Sequence, residues 1–289
     1  MNALYVWLDA LTNYLTTNPE FQSQEHIVGK DILKFHCVYW PAFLRSAGYD
    51  IDKHTVIGHG HWTIEGVKMS KSLGNVVDPV KSELVNVLNN EDAWRWFLLY
   101  QANADLSNSI FSRDVLSSVI NKTITGGIGV LLNRVGSQIE HYPINPDFTL
   151  KELQEAHDYF KKMPEKFEKS ALVYDWNSAL RIVMESVRIC HGLLQDVRPD
   201  KCDDENLKNS TLAIILEVLR VISVLIEPVT PKLVEKIVVK LDLQEEHRSW
   251  ESIEEFYPEL IRGKVINRKK KVVFFKRIEA EKILNAKVN

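Results

Sequence analysis

Apolar and polar positions change rhythm several times along the first eighty residues. Ala3 to Trp7 is a short apolar, partly β-branched run that reads as a strand, and Asp9 to Leu15 follows it with helical character. Ile27-Val28 reads as a second short buried strand, turned by Gly29-Lys30 into a helix with Asp31 as its N-cap. Ile32, Phe35, His36, Tyr39 and Phe43 recur at helical spacing, Pro41 should bend that helix, and Gly48 should stop it after Ala47. Thr55 to Gly58 reads as a third strand. Strands alternating with helices across short turns predict half of a parallel α/β sheet, whose ligands gather at the carboxyl ends of the strands.

The texture changes from Val80 onward. Ala93 to Tyr100 is an aromatic-rich helix, and helix-period stretches follow at Val115 to Ile139, Leu150 to Phe167, Trp176 to Leu194 and Leu207 to Ile226. Prolines fall between them, with Pro143 and Pro146 in one loop, Pro199 in another, and Pro228 and Pro231 in a third. Four or five such helices predict a bundle. In the tail, Arg268-Lys269-Lys270-Lys271 precedes Val272-Val273-Phe274-Phe275-Lys276-Arg277. Basic residues beside aromatics suit RNA phosphates and bases, and a packed terminal element explains the same letters.

Composition narrows this picture only in part. With 289 residues, 45% hydrophobic content and a net charge of -3, the chain has room for one large or two moderate domains, and it lacks the positive field of a nucleic-acid-coating protein. Cys37, Cys190 and Cys202 are too scattered for a thiolate metal site and too few for a disulfide scaffold. No run approaches about 18 consecutive apolar residues, so no membrane span is expected.

The richest chemistry lies in Lys68-Met69-Ser70-Lys71-Ser72, between Gly66 and Gly74. Two lysines three apart on a small, hydroxyl-rich loop suit a polyphosphate whose negative charge grows as a bond breaks. The flanking glycines permit a loop that swings over a nucleotide. A solvated basic turn explains the five residues equally well when they are taken alone. Neither the P-loop pattern nor the Rossmann glycine pattern occurs.

These residues stand in an ordered series. Tyr5-Val6-Trp7-Leu8-Asp9-Ala10, Gly29-Lys30-Asp31-Ile32, Phe35-His36, Tyr39-Trp40-Pro41-Ala42-Phe43-Leu44, His59-Gly60, Lys68 to Ser72 and Leu73-Gly74-Asn75-Val76-Val77-Asp78-Pro79 follow one another. In this the chain resembles the methionyl-tRNA synthetases of class I, nearly continuously from Asn2 to Pro79, more faintly to Ile144, and by helical pattern alone beyond. The early His-Ile-Gly-His-like signature of that family does not precede the series, since His59-Gly60-His61 sits just before the lysine loop. No Cys-x-x-Cys of a zinc knob is present. The chain therefore reads as the C-terminal portion of such an enzyme, inactive alone.

The resemblance implies residue roles. Lys71 would stabilise the α-phosphate and the departing pyrophosphate, with Lys68 assisting loop closure. Asp31 would accept hydrogen bonds from the ATP ribose, or serve only as a cap. His59, Gly60, Trp62 and Val67 would flank the nucleotide, Gly60 by letting backbone approach closely. Trp7, Ala10, Tyr14, Ile32 and His36 would line the methionine pocket, where aromatic surface suits a polarizable thioether, or would simply be core. Asn121 and Arg134 align with the anticodon-binding helix, although Gly126, Val130 and Asp200 replace side chains that many relatives use there. Magnesium is expected on the ATP phosphates, with no metal held by the protein itself.

The expected fold is thus α/β plus all-α: the second half of a Rossmann-like class I catalytic domain (1–80), a connector (81–114), a helical anticodon-binding bundle (115–263) and a basic extension (264–289). The expected activity is ATP-dependent activation of methionine and its transfer to tRNA-Met, by a monomer. The wording of the motifs favours the bacterial and mitochondrial branch, with a mitochondrial matrix location, or a cytoplasmic one if bacterial. A non-catalytic tRNA-binding module and a helical interaction protein are the alternatives.

Overall fold

The computed structural model describes residues 6–17, 24–50, 54–88, 91–258 and 261–266, together with 273, 277–279, 282 and 286. The chain forms two compact units, Met1–Met69 with Asn103–Ile110, and Ser70–Ala102 with Phe111–Asn289. The division falls inside the lysine loop, and 103–110 returns to the first unit; the expected boundaries at 80 and 114 are drawn on family motifs rather than on packing.

In the first unit, α1 (Trp7–Thr17) is followed by β1 (Gln24–Gly29), a helical run ending in α2 (Trp40–Ser46), and β2 (His54–His59). Trp7 opens α1 instead of closing a strand, and residues 3–5 of that expected strand lie outside the described residues. β1 and β2 pair in parallel from Gln24↔His54 to Gly29↔His59. β1 alternates, with His26 and Val28 buried and Ile27 68% exposed, so only one residue of the expected Ile27-Val28 pair faces inward.

The run between the strands begins as a 3₁₀ turn (Lys30–Ile32), widens to a π segment (Phe35–Tyr39) and then becomes α2. The wide segment leads into Pro41, which has no N–H to give a preceding carbonyl. Gly48, at φ +81°, closes α2 as expected: its N–H reaches Arg45 O, and Tyr49 N–H reaches Leu44 O. Leu11, Trp40 and Leu44 form the centre of this unit, with Trp7, Tyr14, Leu15, Phe35 and Phe43 packed around them. β3 (Trp62–Ile64) lies between β4 (Val67–Lys68), antiparallel, and β5 (Ser109–Ile110), parallel.

The second unit is helical. It contains α3 (Glu83–Leu88), α4 (Glu91–Gln101), α5 (Arg113–Ile120), a π segment (Asn121–Gly129) and α6 (Val130–Gln138), then α7 (Lys151–Lys161), α8 (Met163–Leu172), α9 (Trp176–Asp196), α10 (Glu205–Ile226) and α11 (Pro231–Leu241). Ser112, Asp175 and Asp204 cap α5, α9 and α10 with their side chains. The stretch expected from Leu150 to Phe167 breaks at Lys162, just before Pro164, into α7 and α8. Pro231, taken from the sequence as loop, is instead the first residue of α11, where a missing N–H costs nothing.

Arg113–Gly136 and Glu205–Ile226 are long and apolar enough by composition to cross a membrane. Apolarity averaged over a helix is a looser condition than a consecutive apolar run. For α10 it reflects position, because 89% of its most apolar window is buried in this unit, as befits a helix that is hydrophobic on every side. At the centre of α10 an ion pair is sealed from water, with Glu217 and Arg220 both 0% exposed. Arg220 donates from Nε and Nη2 to the two Glu217 oxygens at 2.8 and 2.7 Å. Its remaining N–H groups reach His247 O, Ser252 Oγ and Ser252 O at 2.9 to 3.0 Å, and Tyr257 N–H donates to Glu217 Oε1 at 3.0 Å. The pair therefore fastens residues 247–257 to the core helix.

Replacing Arg220 by Ala leaves a buried carboxylate uncompensated and should cost roughly 3–5 kcal/mol in urea unfolding, with the paired apolar variant E217L/R220L losing less.

Candidate functional site

Parallel pairing brings the carboxyl ends of β1 and β2 together at Gly29 and His59. Two residues beyond each strand stand Asp31 and His61, and His61 Nε2 lies 2.9 Å from Asp31 Oδ1. Lys68, from β4, bonds the other oxygen of Asp31, with its Nζ 3.2 Å from His61 Nε2. The shorter contact and the acceptor-only carboxylate place a proton on Nε2, so Asp31 receives one hydrogen bond on each oxygen. Lys68 first, and His61 second, hold the Asp31 carboxyl down at about 2, so it is a carboxylate at any physiological pH.

Asp31 is not a helix cap. It is the second residue of the 3₁₀ turn, whose N-cap is Gly29, and no side-chain cap bond forms there. Its partners lie across the fold because β3 and β4 form a hairpin through Glu65 (φ 51°) and Gly66 (φ 79°), two left-handed residues as a type I′ turn requires. Gly66 thus serves the hairpin. Lys68 pairs with Thr63 across it.

Gly60 is also accounted for within the chain. A Cβ there would stand 1.9 Å from Ser107 O, so the close approach that demands glycine is made by 106–107 rather than only by a nucleotide. Around it, His59 is exposed and donates from Nδ1 to Gly60 O at 2.8 Å. Trp62 is half-buried on β3, and Val67 is 50% exposed. In the second unit, Lys71 opens an exposed 3₁₀ turn (Lys71–Leu73) closed by Gly74 at φ +65°, and Ser70 N–H donates to Asn75 Oδ1 at 2.8 Å.

Four of the five expected methionine-pocket residues gather at one place. His36 is 1% exposed; its Nδ1 donates to Ile32 O at 2.9 Å, and its Nε2 therefore accepts from Tyr14 OH at 2.9 Å. Trp7 stacks on Phe35 at 4.1 Å and meets His36 edge-on at 6.2 Å. Ala10 is exposed on the same helix. Two histidines that the sequence reading passed over extend this wall. His26 packs against Tyr14 at 4.5 Å and His36 at 5.8 Å between ring centres, and its Nε2 lies 3.1 Å from His54 Nδ1. Burial first, then His54 and His36, pushes His26 down to about 4.

In the helical unit Arg134 is exposed on α6. Asn121 is half-buried, and its side chain is engaged by the chain's own terminus: Nδ2 donates to Ile278 O at 2.8 Å, and Oδ1 accepts from Ile278 N–H at 2.9 Å. The basic run Arg268 to Lys271 lies outside the described residues.

His61 is the functional candidate that sequence reading missed. The signal was available in its spacing, since it follows the end of its strand by two residues, as Asp31 does.

Comparison with known proteins decides the family. The model of the family described as tRNA synthetases class I (M) matches residues 1–136. The mitochondrial methionine–tRNA ligase of Homo sapiens is 36% identical over 85% of this chain and 46% of its own length. The methionine–tRNA ligase of Clostridium acetobutylicum is 31% identical over 97% of this chain and 45% of its own. The chain belongs to the class I methionyl-tRNA synthetases. A structure of the Mycobacterium tuberculosis methionyl-tRNA synthetase in complex with methionyl-adenylate superposes with a TM-score of 0.79 at 29% identity, covering 91% of this chain and 54% of that one. The chain thus spans about half the length of the relatives it matches, and its α/β plus helical architecture is that of the family.

Two outcomes follow from this geometry. Gly60→Ala should destabilise the first unit by about 2 kcal/mol or more in thermal unfolding, because the atom it meets is backbone. The His26 ring, neutral when folded at about 4 and ordinary at 6.5 when unfolded, contributes stability in full above pH 6.5. That contribution should fade as pH falls from 6.5 to 4, seen as faster amide exchange in β1 and β2, and His26→Gln should flatten the dependence.

Proposed function

We propose that this chain supplies one half of the active site of a methionine–tRNA ligase: the ribose-binding carboxylate Asp31, the lysine loop and the methionine pocket. The observation that carries the reading is the meeting of Asp31, His61 and Lys68 at the carboxyl ends of two parallel strands, in a chain whose solved relative binds methionyl-adenylate. Lys71 stabilises charge on the α-phosphate and pyrophosphate as the methionine carboxylate attacks, and Lys68 follows the loop. Trp7, Ala10, Tyr14, Ile32 and His36 hold the methionine side chain. His59, Gly60, Trp62 and Val67 border the adenylate. Positioning and charge suffice for such a transfer, without a protein nucleophile.

Magnesium would come with the triphosphate. Its natural ligands are the phosphate oxygens, since this small cation keeps its waters and is usually carried by the nucleotide rather than by a protein cage. Residues 1–80 form the catalytic half, 81–114 the connector and 115–263 the anticodon domain, with Arg134 presented to unpaired tRNA bases and 264–289 a basic extension. The enzyme acts as a monomer. The replaced anticodon side chains at Gly126 and Val130 and the basic end support a mitochondrial matrix location, with mitochondrial ligases at 31–36% identity standing beside bacterial ones at 31–32%.

Methionine-dependent ATP–pyrophosphate exchange tests the assignment. The 289-residue chain alone should give background exchange, and robust exchange by it would overturn the half-site reading. Joined to a segment carrying the His-Ile-Gly-His-like signature, it should exchange, with Lys71→Ala lowering the rate roughly 10²–10³-fold. Arg134→Ala should weaken tRNA binding in filter assays and reduce the salt slope by about one.

A further inference from the structure

His61 is held on three sides. Its backbone N–H donates to Asn108 Oδ1 at 3.2 Å, and its carbonyl accepts from Ser109 N–H at 2.9 Å. Its ring lies over Gly29, where a Cβ would stand 3.3 Å from His61 Cε1. The side chain is 17% exposed, against 48% for Lys68. Of the two partners of Asp31, then, one is anchored by the strands around it and the other projects from a short hairpin.

We propose that His61 is a positioning residue for nucleotide recognition. Its Nε2–H fixes the Asp31 carboxylate in the orientation that receives ribose hydroxyls, while Lys68 is the exchangeable partner that gives way when the sugar binds. The inference rests on reading Asp31 as the ribose acceptor. The side chain of Asp31 is 56% exposed, so without a fixed partner it would have to be ordered by the ligand itself, and affinity would be lost to that ordering. A rigid donor on Oδ1 removes the cost in advance. It also leaves the Oδ2 side to be exchanged between lysine and sugar.

The test compares ATP with 2′-deoxy-ATP on the full 289-residue chain, by saturation-transfer NMR followed by titration, which reaches millimolar binding. Wild type should favour ATP by about tenfold, the worth of one hydroxyl bond to a charged acceptor. His61→Ala should bring the ratio close to one, and His61→Gln, which restores an N–H donor, should recover most of it. Should H61A fail to fold, His61→Phe, which keeps a ring of similar size without the donor, takes its place. A ratio unchanged in the donor-less variant, or both nucleotides weakened alike, overturns the role of His61 and leaves Asp31 standing. A wild-type chain that binds both nucleotides equally, or neither, overturns the reading of Asp31 and this inference with it.

Discussion

The register of two parallel strands governs the chemistry of the first unit. Parallel strands run in the same direction, so the segments leaving them depart from one edge of the sheet, and the pairing Gly29↔His59 sets Asp31 and His61 side by side. An antiparallel pair would send those residues to opposite edges, and a slip of one residue would turn one side chain to the other face. Everything else near the site secures this placement. Gly60 admits the 106–107 backbone, and Lys30 Nζ donates to Leu106 O at 3.1 Å. Ser109 and Ile110 then pair along β3, whose hairpin delivers Lys68.

Much of this was legible in the sequence wherever the cause was local. The strands at β1 and β2, the stop at Gly48, and the long helices α9 and α10 follow from hydrophobic period and turn chemistry within a few residues. Misreadings occurred where one residue type serves two purposes. Asp31 looks like a cap because carboxylates favour helix starts, yet its strongest partner is 37 residues away. Pro231 looks like a breaker, yet proline is equally at home in a first turn. In each case the deciding atom is distant in sequence, and a local reading has no access to it.

The histidine-lined wall shows how burial selects a protonation state. Ile32 O can only accept, which fixes the proton of His36 on Nδ1 and turns Nε2 toward Tyr14 OH. The polar atoms of that side chain are thereby consumed inside the protein. What remains for a neighbour is ring surface from Trp7, Tyr14 and His36, the kind of surface that suits an apolar, polarizable group. Burial disfavours the charged form of His26 and His54 in the same way, with the imidazoles of His54 and His36 adding to the effect at His26.

The two units differ in how completely each buries its own interior. α10 is covered along nearly its whole length, and even its ion pair is fully enclosed and hydrogen-bonded. β1, in contrast, turns Ile27 outward at 68% exposure, and Val38 of the π segment is 55% exposed. Parallel sheets are ordinarily covered on both faces, since each face carries side chains of core type. On this parallel pair the covering is uneven: Ile27 is bare on β1, whereas a Cβ at Gly58 of β2 would meet the Leu33 and Leu106 side chains at 2.9 to 3.0 Å. Asp31 and Lys68 stay half-exposed on this unit, at 56% and 48%, so strand register and hydrogen bonds, rather than burial, set their place beside His61.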